Sequence, residues 1–143
     1  MTRRRRTKLI ETRQSLTAAG VVRPDCWQIT HEEAAEALEI PVDRIVKVVP
    51  RRYQVCIVYI KENGKKCSSF FSYRRFSRFL REVEVAINSI QNLQTLEYLA
   101  QIVEYDLCHF RYDRVKIGNG MRAALLQRLA KLIAVSRYQA EMV

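Results

Sequence analysis

A mainly helical α+β fold with one small β-hairpin is predicted by three features of this sequence. Residues 30–49 carry the apolar spacing of two short helices joined by a turn. Asn63-Gly64 sits between two β-branched and aromatic runs. Apolar residues then recur at helical spacing through most of the remaining chain. The 143 residues suit one compact domain, or a small domain with a helical extension. With 48% hydrophobic residues, the chain can bury a core.

Taken in order, residues 3–19 predict a first helix ending at Gly20, with Leu9, Ile10, Leu16 and Val21 as its apolar side. A segment from Arg23 to Trp27 links it onward, and Trp27 and Ile29 are placed to staple that linker to the core. Thr30 followed three residues later by Glu33 is a capping box and sets the start of the next helix. Ala35 is the small residue where two helices can cross. Leu38, Ile40, Ile45 and Val48 are the apolar positions facing a shared core. Pro41 fits the first turn of a second helix, where its missing N–H is not needed. Glu39 stands where a turn glycine is usual. This is the spacing of a helix-turn-helix.

The runs 53–60 and 66–73 flank KENGK, and Asn-Gly between such runs predicts a hairpin with a two-residue type I′ turn. In that register Cys67 lies opposite Ile60, not Cys56, so no cross-strand disulfide is expected. Helix, turn, helix and hairpin is the order of a winged helix-turn-helix, with the wing at 53–72 and Lys65 and Lys66 beside its tip. Beyond it, Phe76, Leu80, Val83, Ile87 and Ile90 predict a helix. Arg74, Arg78 and Arg81 line another face of it, as a solvated surface or as phosphate contacts.

Charge divides the chain in two. Up to Arg81 there are 18 Lys/Arg and 8 Asp/Glu; after it there are 7 of each, so the whole excess of +10 lies in the first part. Such a field attracts polyanions, nucleic acid first. Residues 1–81 thus read as a basic DNA-binding domain and 82–143 as a helical dimerisation region. In the latter, Leu93, Ala100 and Leu107 fall on one heptad seam position, and Leu96, Val103 and Phe110 on the other. Gly118-Asn119-Gly120 predicts a turn, with Asn119 capping a last helix that bears Leu125, Leu126, Leu129, Leu132, Ile133 and Val135. An apolar surface so wide has to be buried on two sides. A homodimer does this and suits a two-fold operator; packing within one subunit is the rival.

Other classes are disfavoured. The four cysteines lack CxxC or His spacing for a metal and read as buried free thiols in a reducing cytoplasm, with a redox or metal sensor as the rival. No apolar stretch is long enough for a membrane span, and no small-molecule effector or cofactor site is evident. No catalytic triad, phosphate loop or acidic metal cluster is present, so the chain does not read as an enzyme. Glu32, Glu33 and Glu36 share a helix surface, which reads as a solvated acidic face. A cytoplasmic, nucleoid-associated protein is expected.

The helix-turn-helix, the wing and Tyr73-Arg74-Arg75-Phe76 leading into a helix resemble MerR-type transcription factors over about residues 30–80. The small size and helical C-terminal part resemble the compact MerR-like repressors found beside CRISPR-associated transposons in cyanobacteria. The family's Arg-Tyr-Tyr segment and its single long dimer helix are not evident. The resemblance implies a DNA-binding regulator, and repression by occlusion suits a chain with no visible sensor.

The candidate contacts follow. Arg44 projects from the helix after Pro41 and can pair bidentately with guanine. Lys47, Arg51 and Arg52 suit phosphates. Asp43 orients an arginine, accepts from cytosine or is a plain helix-start charge. Thr30 and His31 offer free amides at a helix start. Lys65 and Lys66 hold backbone from the wing, Arg74 and Arg75 adjoin it, and Arg3 to Arg6 form a minor-groove arm or a loose basic tail. The alternative is an RNA-binding or adaptor protein, with Tyr59, Phe70, Phe71 and Tyr73 stacking on bases or else filling the core.

Overall fold

A computed structural model of the chain describes residues 13–142. Arg3 to Arg6 and most of the expected first helix lie outside the described residues. From 13 to 20 the chain makes a single turn rather than a helix. The reason is local. The Ser15 hydroxyl takes the Ala18 amide at 3.0 Å, and the Leu16 amide donates to Asp106 at 2.8 Å instead of to a preceding turn. Gly20, at φ +77°, closes the turn, with the Val21 amide on the Leu16 carbonyl at 3.0 Å. Leu16 and Val22 are fully buried. Trp27 staples the linker as expected: its ring meets Tyr73 and Phe76 edge-on, and its indole N–H donates to Glu82 at 2.8 Å.

Helix α1 (His31–Leu38) starts at the expected capping box, with the Glu33 amide on the Thr30 hydroxyl at 3.0 Å and the Thr30 amide on the Glu33 carboxylate at 3.2 Å. It ends at Glu39, which itself adopts the left-handed conformation, φ 60°. A side chain there costs about 1 kcal/mol. Glu39→Gly is therefore expected to raise stability by less than that amount, since the relieved strain is partly offset by the lost 3.7 Å contact of Glu39 with the buried Arg114, read as a slightly higher urea midpoint at unchanged slope.

The second helix of the expected pair does not form. After Pro41, residues Val42–Arg44 make one 3-10 turn, and the chain enters strand β1 (Ile45–Pro50). A bulge explains why the sequence mimics a helix. Ile45 pairs with Tyr59 and Lys47 with Val58, so one extra residue sits between them. The extra residue puts Ile45 and Val48 on the same face, three apart, which is also helical spacing.

Strands β2 (Gln54–Ile60) and β3 (Lys66–Ser72) form the expected hairpin and, with β1, an antiparallel sheet of order β1-β2-β3. The turn differs from expectation. The Lys61 amide bonds the Lys65 carbonyl and the Gly64 amide bonds the Lys61 carbonyl, both at 2.9 Å, leaving a three-residue loop with Gly64 at φ +83°. Cys67 therefore faces Tyr59, one residue from the expected register, and it still does not face Cys56. All four cysteines are free, but none is fully buried as expected.

Three helices complete the chain: α2 (Ser77–Asn88), α3 (Leu93–His109) and α4 (Val115–Glu141). Phe76, Val83, Ile87 and Ile90 are buried along α2 as predicted, and Phe79 joins them. Gly118-Asn119-Gly120 was expected to break the chain, yet α4 runs straight through it. A Cβ at Gly118 would stand 3.1 Å from a Leu107 methyl, and one at Gly120 would stand 2.7 Å from a Leu80 methyl. These glycines are where α4 approaches its neighbours. Packing on both sides overrides their poor helix propensity of about 1 kcal/mol each. Arg81 lies inside α2, and one hydrophobic core runs from Leu16 to Ala124, drawing on both expected regions. Among the described residues, no helix is long and apolar enough to cross a membrane.

Candidate nucleic-acid interface

Ion pairing sorts the basic residues into two groups. On the helical side most are neutralised by partners. Arg78 bonds Glu33 at 2.6 Å, Arg114 bonds Glu36 at 2.6 Å, Lys116 reaches Glu36 at 3.4 Å and Arg122 reaches Glu104 at 3.3 Å. Arg75 pairs with Asp113 at 3.4 Å and donates to the Ala37 carbonyl at 2.9 Å. Arg74 is buried, with Nε and Nη2 both on the Asp106 carboxylate at 2.6 and 2.8 Å. Its guanidinium lies 3.7 Å from the centre of the Phe110 ring. Burial works against that charge, but Asp106 holds the proton on and raises the pKa. Neither expected role for Arg74, solvated face or phosphate contact, survives this geometry. Arg75 is also committed to protein partners.

The sheet is the opposite case. Arg44, Lys47, Arg51, Arg52, Lys61, Lys65 and Lys66 have no ion pair among the described residues, and only Asp43 and Glu62 lie between 40 and 72 to offset them. All but the half-buried Arg44 are exposed. The β1–β2 turn carries Arg51 and Arg52 at one end of the sheet. The hairpin tip carries Lys61, Lys65 and Lys66 at the other. The Tyr73 hydroxyl, itself pushed up in pKa by burial, donates to the Arg51 carbonyl and pins the first turn; Arg52 lies over the Tyr53 ring at 5.1 Å. Asn63 accepts the Lys65 amide at 2.9 Å and orders the tip. Lys61 belongs to this group but was not a candidate from sequence, because a two-residue turn leaves it inside a strand.

Between the two ends, the faces of the sheet differ. Val55 and Ile57 are fully buried and point to the core. Their alternates, Cys56 and Val58, sit opposite Phe70 and Ser68 on β3 and Val49 and Lys47 on β1. Phe70 is 57% exposed. Of the four aromatics considered for stacking, it alone is exposed: Tyr73 is buried, while Tyr59 and Phe71 pack partly buried against the core. Cys67 is drawn to a lower pKa, chiefly by a hydrogen bond from Tyr59, whose own pKa rises for the same reason.

The other candidates sit apart. Thr30 is occupied by its own capping box, and His31 starts a helix whose first turn holds Glu32 and Glu33, a poor site for an anion. Asp43 and Arg44 lie on the 3-10 turn, not on a recognition helix. Glu33 and Glu36 are not a plain solvated face, since Arg78, Arg114 and Ser77 hold them. Among the described residues, no group of His, Cys, Asp and Glu is arranged for a metal. Hydrogen bonding from Arg114 lowers the Glu36 pKa to about 2, and Ser77 and Lys116 add to it. A lowered carboxylate pKa stabilises the fold above its ordinary value of 4.5, and that stability is lost as pH falls from 4.5 towards 2. Glu36→Gln should therefore flatten the loss of stability over that acid window, measured by urea unfolding at stepped pH.

The expected dimer residues divide as well. Leu96 and Val103 belong to the subunit core, at 4% and 0% exposure. Ala100, Leu107, Leu125, Leu132 and Ile133 are half-buried, while Leu93, Leu126, Leu129 and Phe110 are exposed. A groove of about 550 Å³ runs between α3 and α4, lined by Leu93, Leu96, Ala100, Leu125, Leu126 and Leu129, with Glu97, Glu104 and Arg122. Asp106 is the central residue that sequence reading missed. Its signal is an acid on the Leu99, Val103, Asp106 side of an otherwise apolar helix stripe. Compared with known proteins, the chain matches no family model, no curated protein and no solved structure.

Proposed function

We propose that this protein binds duplex DNA through its basic sheet and acts as a homodimeric transcriptional repressor that occludes a promoter. The observation that carries the reading is the segregation of unpaired cations. Seven lie on the sheet and its turns with two acids among them, whereas the cations of the helical body are mostly ion-paired. Paired cations have no net field to offer, and unpaired ones gain by displacing counterions from a phosphate backbone. Of the likeness to MerR-type regulators, the α1 helix, the β2–β3 hairpin as wing and the Tyr73–Phe76 segment leading into α2 remain in support, without a helix after Pro41 to read bases. Binding to duplex DNA, single strands and structured RNA, followed against salt concentration, tests it. Duplex preference with a steep log–log slope is the expected result.

The dimer rests on the exposed apolar side of α3 and α4. Patches of this kind are uncommon on soluble monomers. Sedimentation should give about twice the 16.8 kDa chain mass. The variant to compare is Leu126→Glu, because Leu126 is 67% exposed and its substitution leaves the core intact. Leu96→Glu would unfold the subunit instead. Wild-type protein that sediments as a monomer at micromolar concentration removes the dimer from the reading.

A second reading, an RNA-binding or adaptor protein, is favoured by the exposed rings of Phe70 and Tyr53 beside basic residues. The same competition separates it.

A further inference from the structure

We infer that the outer face of the sheet, around Cys56, Ser68 and Phe70, is the surface that enters the major groove. This deepens the proposed DNA binding and rests on it. The face is open: Lys47, Ser68 and Phe70 are exposed, and the Cys56 thiol and Ser68 hydroxyl lie 3.6 Å apart at the surface. Small side chains at Cys56 and Ser68 let a backbone come close to base edges. Phe70 offers an apolar surface for a thymine methyl, and Lys47 a donor for guanine acceptors.

The charge pattern fits a duplex in particular. The basic ends of the sheet are separated by the seven residues of β2, about 20 Å of extended chain. The major groove is about 12 Å wide. A sheet seated there carries its basic ends past both walls, one to each phosphate row, with the middle, where Lys47 is the one charge, over the bases. Unpaired bases instead need several stacking platforms, and among the described residues this face exposes one aromatic ring, Phe70, with Tyr53 off its end in the β1–β2 turn.

The native cysteines provide the first test. Cys56 lies on the outer face, whereas the exposed Cys26 and Cys108 lie on the linker and on α3. The probes are duplexes enriched from a random pool by the protein itself and single strands of the same length. Binding is followed by fluorescence anisotropy and maleimide labelling by peptide mass spectrometry. In the duplex complex Cys56 should react about tenfold more slowly, with Cys26 and Cys108 unchanged. Phe70→Ser, a surface change, should weaken binding to enriched duplex about tenfold while random duplex is held as before. A bound duplex that leaves Cys56 labelling unchanged overturns the inference while the DNA-binding reading stands. Equal or stronger protection by single strands makes unpaired bases the occupant and overturns it too. Failure to bind either probe removes the DNA-binding reading itself.

Discussion

Asp106→Ala is expected to cost about 3–5 kcal/mol of folding stability, because it strands a buried cation. Asp106 is fully buried and accepts from four groups: Arg74 Nε and Nη2, the Tyr112 hydroxyl and the Leu16 amide. Tyr112, pushed up in pKa by burial and by the Asp106 charge, stays protonated and keeps donating. Without the carboxylate, the guanidinium remains at 7% exposure between Phe79 and Phe110 with no counter-charge. Leu16 also loses the tie that holds the N-terminal turn to α3. For a domain of ordinary stability, about 5–15 kcal/mol, that is a large fraction. The measurement is a urea midpoint at neutral pH. Replacing both partners, Arg74→Met with Asp106→Leu, should recover most of the loss, since an apolar pair leaves nothing unsatisfied. A loss below about 1 kcal/mol for Asp106→Ala would mean that Arg74 reaches water and that the buried network does not hold the fold together.

The largest expected effect on binding comes from Arg51, Arg52, Lys65 and Lys66 replaced together by alanine. All four are exposed and lack an ion pair among the described residues, so folding should change little. Each neutralised phosphate contributes about 0.9 to the slope of log affinity against log salt. Four lost contacts therefore lower the slope by roughly 3–4 and affinity by on the order of a hundredfold at physiological salt. Arg78→Ala is the control. Its charge is spent on Glu33 at 2.6 Å, with the guanidinium also over the Trp27 ring, so its loss should lower stability and leave the slope alone. An unchanged slope in the fourfold variant would move the interface off the sheet.

The local devices are legible in the residues alone. The Thr30–Glu33 box, the hairpin and the α2 stripe are set by neighbours close in the chain and form where their chemistry predicts, the hairpin with a three-residue turn in place of two. Trp27 also staples the linker as its size predicts, although its partners Tyr73, Phe76 and Glu82 are distant in the chain. Composition also located the excess charge, since that needs only counting. Tertiary structure decided what depends on partners distant in the chain. The Ile45–Val48 interval fits both a helix and a bulged strand, and pairing with β2 selects the strand because the inward-facing amides and carbonyls of β1 then find partners while Ile45 and Val48 both reach the core. Gly118 and Gly120 break a helix in isolation, yet they admit close contact with Leu107 and Leu80 when α4 is packed. Which arginines stay free was decided in the same way. Arg74 and Lys66 are alike as charges in a list. Only the fold brings Asp106, 32 residues on, against the first and leaves the second at an open hairpin end.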